Sequence, residues 1–167
     1  MQALFEKIVV LGTGGTIAGV GEGATAERYV AGQIGIDRIL ASMDAAISQR
    51  FADRLVWEQV FQTDSKDMSW PLLRQLGQRC ETLLGDDSVA AIVITHGTDT
   101  MEESAYLLYR CLPWHRQGKP VVLTGAMRPA TARQPDGPQN LAMALCVADS
   151  AAKEGHSGVW LSFAGDV

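Results

Sequence analysis

The stretch Lys7-Ile8-Val9-Val10-Leu11-Gly12-Thr13-Gly14-Gly15-Thr16-Ile17-Ala18-Gly19 leads a block of apolar residues into a run of glycine and threonine. A second stretch repeats this pattern, with Val89-Ala90-Ala91-Ile92-Val93 leading into Ile94-Thr95-His96-Gly97-Thr98-Asp99-Thr100-Met101-Glu102-Glu103. A short apolar run that ends in turn residues is typical of a buried parallel strand and the start of its connection. Because ligands bind outside the carboxyl ends of such strands, both threonine runs are candidate site loops.

The rest of the chain alternates apolar runs with amphipathic stretches. Strands are predicted near residues 6–12, 55–61, 90–95, 119–124 and 158–163, and helices near 35–48, 70–84, 100–112 and 138–153. This alternation predicts an α/β fold, a three-layer α/β/α sandwich with a mainly parallel sheet of the Rossmann or flavodoxin type. At 167 residues the chain is expected to form one domain, 1–167.

Composition and charge indicate which partners and which cellular compartment to expect for this chain. The net charge is -5 and there is no basic run, which argues against a nucleic-acid partner. No stretch approaches the ~20 consecutive apolar residues of a membrane span. Cys80, Cys111 and Cys146 form an odd set without short spacings, which favours reduced thiols over a disulfide framework or a zinc site. The first predicted strand begins within about seven residues of Met1, leaving no room for a signal peptide, so a cytoplasmic protein is expected.

The glycine-rich loop also has to be compared with a nucleotide site. A dinucleotide-binding fingerprint counted from Gly12 requires a third glycine or alanine where this chain has Ile17, so the fingerprint does not match. A P-loop is excluded because no Gly-Lys-Ser/Thr follows. A second interpretation is that the glycines only permit a tight turn with positive φ. For the other loop, the alternative is helix capping by Thr98 or Asp99, with acidic residues in the first turn.

Residues 19–34 contain four glycines and show no helical period. In a compact domain so long a loop is usually a lid or a binding loop, and we expect it to be mobile without ligand. Tyr29 is its main aromatic residue. A packing anchor and a catalytic group are both open interpretations of this side chain.

Taken together, the motifs resemble the amino-terminal domain of the bacterial-type L-asparaginase family. They occur in the family's order and span nearly the whole chain: Gly14-Gly15-Thr16-Ile17-Ala18-Gly19, Tyr29, Asp64-Ser65-Lys66-Asp67-Met68, Thr95-His96-Gly97-Thr98-Asp99-Thr100-Met101-Glu102-Glu103, Thr124-Gly125-Ala126-Met127-Arg128-Pro129, and Asp136-Gly137-Pro138 with Asn140. The resemblance implies an amidohydrolase that converts L-asparagine to L-aspartate and ammonia, without a cofactor or a metal.

The resemblance also assigns the catalytic residues. It implies that Thr16 is the nucleophile, with Tyr29 beside it on the loop. Thr98 would position or activate the water or the substrate amide. Asp99 would hold the substrate's amino group and orient a lysine that the family carries beyond the last predicted strand.

Further positions are implied to bind the substrate. Main-chain groups of Gly15, Gly97 and Ala126 would lie against it, and Ser65 would hydrogen-bond its α-carboxylate. Lys66 departs from the family, where glutamine or serine is common; it either strengthens carboxylate binding or points to solvent. A direct catalytic role is not implied for His96, which is interpreted as a loop-packing residue.

Three functions remain in competition. One methylene separates asparagine from glutamine, and pockets discriminate that by only ~1–3 kcal/mol, so a glutaminase or a glutamine-dependent amidotransferase subunit is an alternative. In the family a smaller carboxy-terminal domain supplies further site residues from a neighbouring subunit of a homo-oligomer. Neither that domain nor the lysine lies within the 167 residues. The chain is therefore expected to be impaired alone, and a catalytically inactive binding domain is the third candidate.

Overall fold

The computed structural model describes residues 6–22, 28–112 and 118–167. The strands are β1 (Lys7–Gly14), β2 (Val20–Glu22), β3 (Arg28–Val30), β4 (Leu55–Thr63), β5 (Val89–Thr95), β6 (Pro120–Thr124) and β7 (Gly158–Leu161). The α-helices are α1 (Ile36–Ala41), α2 (Ala45–Phe51), α3 (Trp70–Leu84), α4 (Met101–Cys111) and α5 (Gly137–Lys153). Short 3-10 turns occupy Thr16–Ala18, Ser65–Asp67 and Thr98–Thr100.

Five of these strands form one parallel sheet in the order β4-β1-β5-β6-β7. Numbered among themselves along the chain, they read 2-1-3-4-5, which is the flavodoxin-like order. The predicted fold class is therefore confirmed. The order reverses beside β1, so the ligand crevice expected for this topology lies between the carboxyl ends of β1 and β5.

Helices cover both faces of the sheet, which gives the three predicted layers. Val9 and Leu11 of β1 pack in a core with α3 and α4, whereas Ile8 and Val10 pack in a second core with α1, α2 and α5. All four side chains are almost completely buried. Successive residues of a strand point to opposite faces, so a strand covered on both sides is apolar throughout.

The connection through α5 has the opposite hand to the others. The chain passes from β5 to β6 through α4 on one face, and then from β6 to β7, a step in the same direction, through α5 on the other face. The two earlier connections share the hand of the α4 connection. Because ~98% of such connections are right-handed, the α5 connection is the left-handed exception. It places the start of α5 beside the first threonine run, where a Cβ on Gly137 would lie 2.7 Å from Ile17 Cγ1.

Two segments differ from the sequence prediction. The single helix predicted near 35–48 is two helices, because the backbone turns after α1 and the Asp44 side chain accepts a hydrogen bond from Ala46 N at the start of α2. Residues 19–34 are not entirely irregular, since β2 and β3 pair antiparallel there. Residues 23–27 of this segment lie outside the described residues.

The three cysteines are free, and each lies in a helix, as predicted. Burial raises the pKa of the Cys80 thiol to about 12, so this thiol is a packing group rather than a nucleophile. Within residues 6–22, 28–112 and 118–167, no helix is long and apolar enough to cross a membrane.

Candidate active site

The first threonine run makes a sharp turn at the end of β1. Gly14 and Gly15 have φ angles of 106° and 78°, a region that glycine enters without steric cost. Gly15 N donates to Thr63 O at 2.8 Å, and a Cβ on Gly15 would overlap the backbone of Gly97. The glycines therefore serve a tight turn, as the structural interpretation proposed, and the same turn brings the two threonine runs into contact.

Thr16 begins the 3-10 turn that follows. Its side chain is buried, and its hydroxyl lies 2.9 Å from the phenol oxygen of Tyr29, with either oxygen able to donate. Tyr29 reaches it from β3, where it pairs with Gly21 of β2, and remains 42% exposed. The two residues assigned to catalysis from this half of the site are thus in direct contact.

The second threonine run follows β5, the neighbour of β1 in the sheet. Thr98 and Asp99 lie in a 3-10 turn without fully buried residues, and α4 begins at Met101. The capping prediction for Thr98 or Asp99 is wrong: the N-cap position of α4 is Thr100, without a side-chain cap hydrogen bond. The acidic first turn of α4 is present as expected. The first run also reaches this strand, since Thr13 Oγ1 donates to Thr95 O at 2.7 Å.

Ser65, in the 3-10 turn after β4, holds the second threonine run through two hydrogen bonds. Its hydroxyl oxygen accepts from Asp99 N at 3.2 Å, and its carbonyl accepts from Thr100 Oγ1 at 2.9 Å. The side chain is buried, and a Cβ on Gly97 would overlap it. Because the oxygen serves as an acceptor for Asp99, the hydroxyl proton remains free for an acceptor such as a carboxylate.

Lys66 stands at the exposed margin of this cluster. Its ammonium nitrogen lies 3.0 Å from Asp64 Oδ2. The hydrogen bond and charge of Asp64 raise the pKa of Lys66, and the charges of Asp67 and Asp99 act in the same direction. The lysine is therefore both solvent-exposed and within electrostatic reach of Asp99.

A fourth segment, residues 125–128, closes the cluster from the end of β6. Ala126 is fully buried, Asn140 Nδ2 donates to Gly125 O at 2.9 Å, and the Asp136 carboxylate accepts from Met127 N and Arg128 N, both at 2.9 Å. Two side chains at the start of α5 thus hold the backbone around Ala126. Asp136 and Asn140 belong to the family motif, but no role was predicted for them from the sequence. The Asp-Gly-Pro-x-Asn pattern at the start of a helix was the signal that could have indicated one.

His96 packs inside the second run. Its ring is buried and Nδ1 lies 2.7 Å from Gly97 O. Burial lowers the pKa of His96, although the Gly97 carbonyl and the charge of Glu103 oppose the shift. A neutral imidazole with a local backbone partner fits the predicted packing role. In the part of the chain that the structure describes, its Nε2 atom has no hydrogen-bond partner.

The segments meet at one edge of the sheet. Gly15 contacts Gly97, Gly97 contacts Ser65, and a Cβ on Gly125 would lie 3.3 Å from Thr98 Cγ2. The edge therefore presents hydroxyl groups, one phenol, one carboxylate and strand-end backbone amides, which suit attack on a carbonyl carbon and stabilisation of an oxyanion. An apolar groove of about 670 Å³ between α3 and α4 contains none of these residues.

Two other features of catalytic sites, a metal site and a basic side chain bonded to Thr16, are absent from the described ranges. No group of three His, Cys, Asp or Glu side chains there could hold a metal ion. No lysine, histidine or carboxylate side chain in those ranges forms a hydrogen bond with the hydroxyl of Thr16. Among the described residues, the Tyr29 phenol is the side-chain hydrogen-bond partner of the Thr16 hydroxyl.

Several known proteins are similar to this chain. The chain is 41% identical over 155 residues to a glutaminase-asparaginase of Pseudomonas aeruginosa, covering 92% of this chain and 41% of that protein. It is 39% identical over 142 residues to L-asparaginase 2 of Escherichia coli, covering 85% of this chain and 38% of that protein. The crystal structure of a probable cytoplasmic L-asparaginase from Campylobacter jejuni superposes with a TM-score of 0.82 at 38% identity.

This superposition covers 94% of the chain and 46% of the Campylobacter protein. The chain thus spans less than half the length of each of these relatives. A family profile described as asparaginase, N-terminal, matches residues 7–167, which includes every segment of the candidate site. The chain belongs to the asparaginase family, and the matched region is the family's amino-terminal domain.

Proposed function

We propose that this chain is the catalytic amino-terminal domain of an amidohydrolase that converts L-asparagine to L-aspartate and ammonia, with Thr16 as the nucleophile. The observation that carries the proposal is the buried Thr16 hydroxyl, 2.9 Å from the Tyr29 phenol, at the crevice between β1 and β5. A hydroxyl held in such a crevice is placed to attack a bound carbonyl group.

The reaction proceeds in two steps. Thr16 Oγ1 bonds to the side-chain amide carbon of the substrate, and the threonine proton passes to the nitrogen that leaves as ammonia. Water then cleaves the resulting ester, releasing aspartate and restoring the threonine. Tyr29, which shares a hydrogen bond with Thr16, handles the threonine proton, and Thr98 positions the water or the amide. Backbone amides at the two glycine turns face the developing negative charge.

Binding of the substrate's amino-acid end uses the second turn. The free proton of Ser65 Oγ donates to the α-carboxylate, and the Asp99 carboxylate accepts from the α-ammonium group. Backbone atoms of Gly15, Gly97 and Ala126 form the walls. Lys66 adds a positive charge near the carboxylate when its ammonium leaves Asp64, which lies 3.0 Å away.

L-Glutamine is a second candidate substrate of the same site. Relatives named glutaminase-asparaginase match the chain at 41% and 42% identity. The extra methylene changes binding by only ~1–3 kcal/mol, so both amides are expected to react.

The proposal extends to the parent protein. Because the chain spans less than half the length of these relatives, we propose that two further parts of the parent protein complete the site: a lysine partner for Asp99 just beyond the last strand, and a carboxy-terminal domain. We propose that the parent protein is a homo-oligomer and that it lies in the cytoplasm. The compartment is supported by the structural neighbour, which is called a probable cytoplasmic L-asparaginase. Gel filtration and cell fractionation of the parent protein test these two points.

Ammonia release tests the function. The chain, the chain extended by the coding sequence that follows it, and Thr16→Ala in both are compared on asparagine and glutamine. Thr82→Ala serves as control, because the Thr82 hydroxyl only donates to Gln78 O on α3. We expect turnover by the extended protein, a loss of ~10²–10⁴ or more in the chain alone, and loss of activity in Thr16→Ala.

Three outcomes would contradict the proposal. Equal turnover by the chain and the extended protein would show that no further domain completes the site. Asparagine binding by calorimetry without turnover in either protein would instead favour the inactive binding domain. Retained activity in Thr16→Ala would remove the nucleophile assignment.

A further inference from the structure

Tyr29 is half-exposed, so its placement depends on the strand that carries it. In the antiparallel pair of β2 and β3, Gly21 lies directly opposite Tyr29. Gly21 N also donates to the hydroxyl oxygen of Thr131, at 2.7 Å, from outside the pair. Thr131 belongs to the segment between β6 and α5, 110 residues away in sequence. One side-chain hydrogen bond therefore connects this segment to the residue that faces Tyr29.

A second contact lies two residues before Gly21. Ala130 N donates to Gly19 O at 3.0 Å, so residues 130 and 131 hold the same strand entry at two points. A Cβ on Gly19 would lie 3.0 Å from Tyr29 Cδ2 and 3.3 Å from Pro129 Cβ. The Tyr29 ring therefore packs close to the Gly19 backbone, next to Pro129, which precedes Ala130 and Thr131.

The segment that carries Thr131 is itself anchored. Ala132 N donates to Pro129 O at 2.9 Å and closes a turn around Thr131. Before Thr131 in the chain, Met127 N and Arg128 N both donate to the carboxylate of Asp136, which stands at the start of α5. The acceptor oxygen of Thr131 is therefore presented by a fixed backbone, which is what a positioning group requires.

We propose that Thr131 is a positioning residue for Tyr29: by holding Gly21, it sets the distance between the Tyr29 phenol and the Thr16 hydroxyl. Among the described residues, no hydrogen bond joins Thr131 to Thr16 or Tyr29, so Thr131 acts through the β2–β3 pair. The expected effect of Thr131 on turnover rests on the proposed function, whereas its effect on the position of Tyr29 does not. The exposed hydrogen bond has a small net free energy, so the role is in geometry more than in stability.

The structural arm uses the chain itself and two variants. Thr131→Val removes the acceptor with little change in shape, and Thr131→Ser keeps it; Thr82→Val is the control on α3. Hydrogen exchange of the Gly21 amide and the ring resonance of ¹³C-labelled Tyr29, assigned with Tyr29→Phe, are followed by NMR. In Thr131→Val we expect Gly21 exchange to accelerate by about 3–10-fold, as for loss of one net hydrogen bond, and the Tyr29 resonance to shift.

Thr131→Ser and Thr82→Val are expected to behave like the unchanged chain. Unaltered Gly21 exchange in Thr131→Val would show that the hydrogen bond does not hold the strand. Faster exchange with an unmoved Tyr29 resonance would show that the bond exists but does not place the phenol. Either result overturns the proposal without reference to catalysis.

The catalytic arm is a double-mutant cycle in the extended protein. Thr131→Val is expected to lower kcat by about 3–10-fold with KM nearly unchanged, and to have no further effect in a Tyr29→Phe background, because it acts through that phenol. Additive losses would overturn the proposal. If the extended protein releases no ammonia at all, the proposed function fails, while the NMR arm still decides the role of Thr131.

Discussion

The two threonine turns have the same sequence design but are held in different ways. The turn after β1 is buried throughout its 3-10 residues, Thr16–Ala18, and its hydroxyl has a side-chain partner. The turn after β5 has no fully buried residue in Thr98–Thr100 and is held at its backbone by Ser65. A reacting group benefits from the first arrangement, which fixes its hydroxyl, and a substrate-binding group from the second, which leaves its side chains open.

Contact between the two turns depends on the absence of side chains at two glycines. Gly15 and Gly97 meet backbone to backbone, so the hydroxyl-bearing residue after each of them is brought to a shared crevice. The difference between the turns therefore begins only one residue beyond their contact. Substitutions at this contact and within the second turn test the difference between the two turns.

The largest expected effect comes from Gly15→Ala. A methyl group at a φ of 78° overlaps the Gly97 backbone, so unfolding should become easier by ~3 kcal/mol or more, with loss of the site geometry. Gly77→Ala is the matched control: its new Cβ has Leu108 Cδ2 at 4.0 Å, and a helical alanine gains ~0.5–1 kcal/mol. Urea unfolding measures both, and an unchanged midpoint for Gly15→Ala would show that the two turns do not touch.

A pH effect on stability is expected in the second turn, through His96. Burial lowers the pKa of His96, so the unfolded chain binds the proton more readily than the folded one. Stability is then complete above the unfolded value of ~6.5 and falls as pH decreases below it, by at most ~1.4 kcal/mol per pH unit. Urea titrations across this range should show a shallower dependence of stability on pH in His96→Gln than in the unchanged chain. Identical slopes in the two proteins would contradict the prediction.

Ser65→Ala should loosen the second turn and leave the first intact. The Asp99 amide loses its acceptor, at a cost of ~1 kcal/mol, whereas the backbone acceptor for Thr100 remains. Amide exchange at Asp99 should therefore accelerate, with Gly19 N, which donates to Thr16 O, unaffected. Equal acceleration at both amides would mean that the two turns open as one unit.

The smallest effect is expected for Lys66→Gln. The ammonium group is exposed and its pairing with Asp64 is screened by water, so the urea midpoint should not move. Lys119→Gln is the contrast, because Lys119 Nζ donates to Leu84 O and Asp86 O and its loss should lower the midpoint. A rise in KM for asparagine in the extended Lys66→Gln protein would assign the lysine to the substrate carboxylate; an unchanged KM would assign it to solvent.

Sequence reasoning succeeded where burial on both faces of the sheet forces an unmistakable pattern. The central strands β1 and β5 are continuous apolar runs because helices cover both of their faces, and the threonine runs mark their ends. The break near Asp44 was missed although an aspartate before Ala45-Ala46 is a capping signal. The partner of Thr16 had no local signal: β2 and β3 are three residues each, and their position depends on contacts with a segment 110 residues away.

The left-handed connection through α5 has a consequence for synthesis of the chain. Leu141, Ala144 and Leu145 of this helix cover Val10 and Val93, together with Val122, on one face of the sheet. β1 leaves the ribosome about 140 residues before Lys153, the last residue of this cover. At ~5–20 residues per second this interval is roughly 7–28 s. During that interval α1 and α2 can cover only part of this apolar face, so chaperone binding during translation should concentrate on the part of β1, β5 and β6 that α5 later covers, and end when Lys153 emerges.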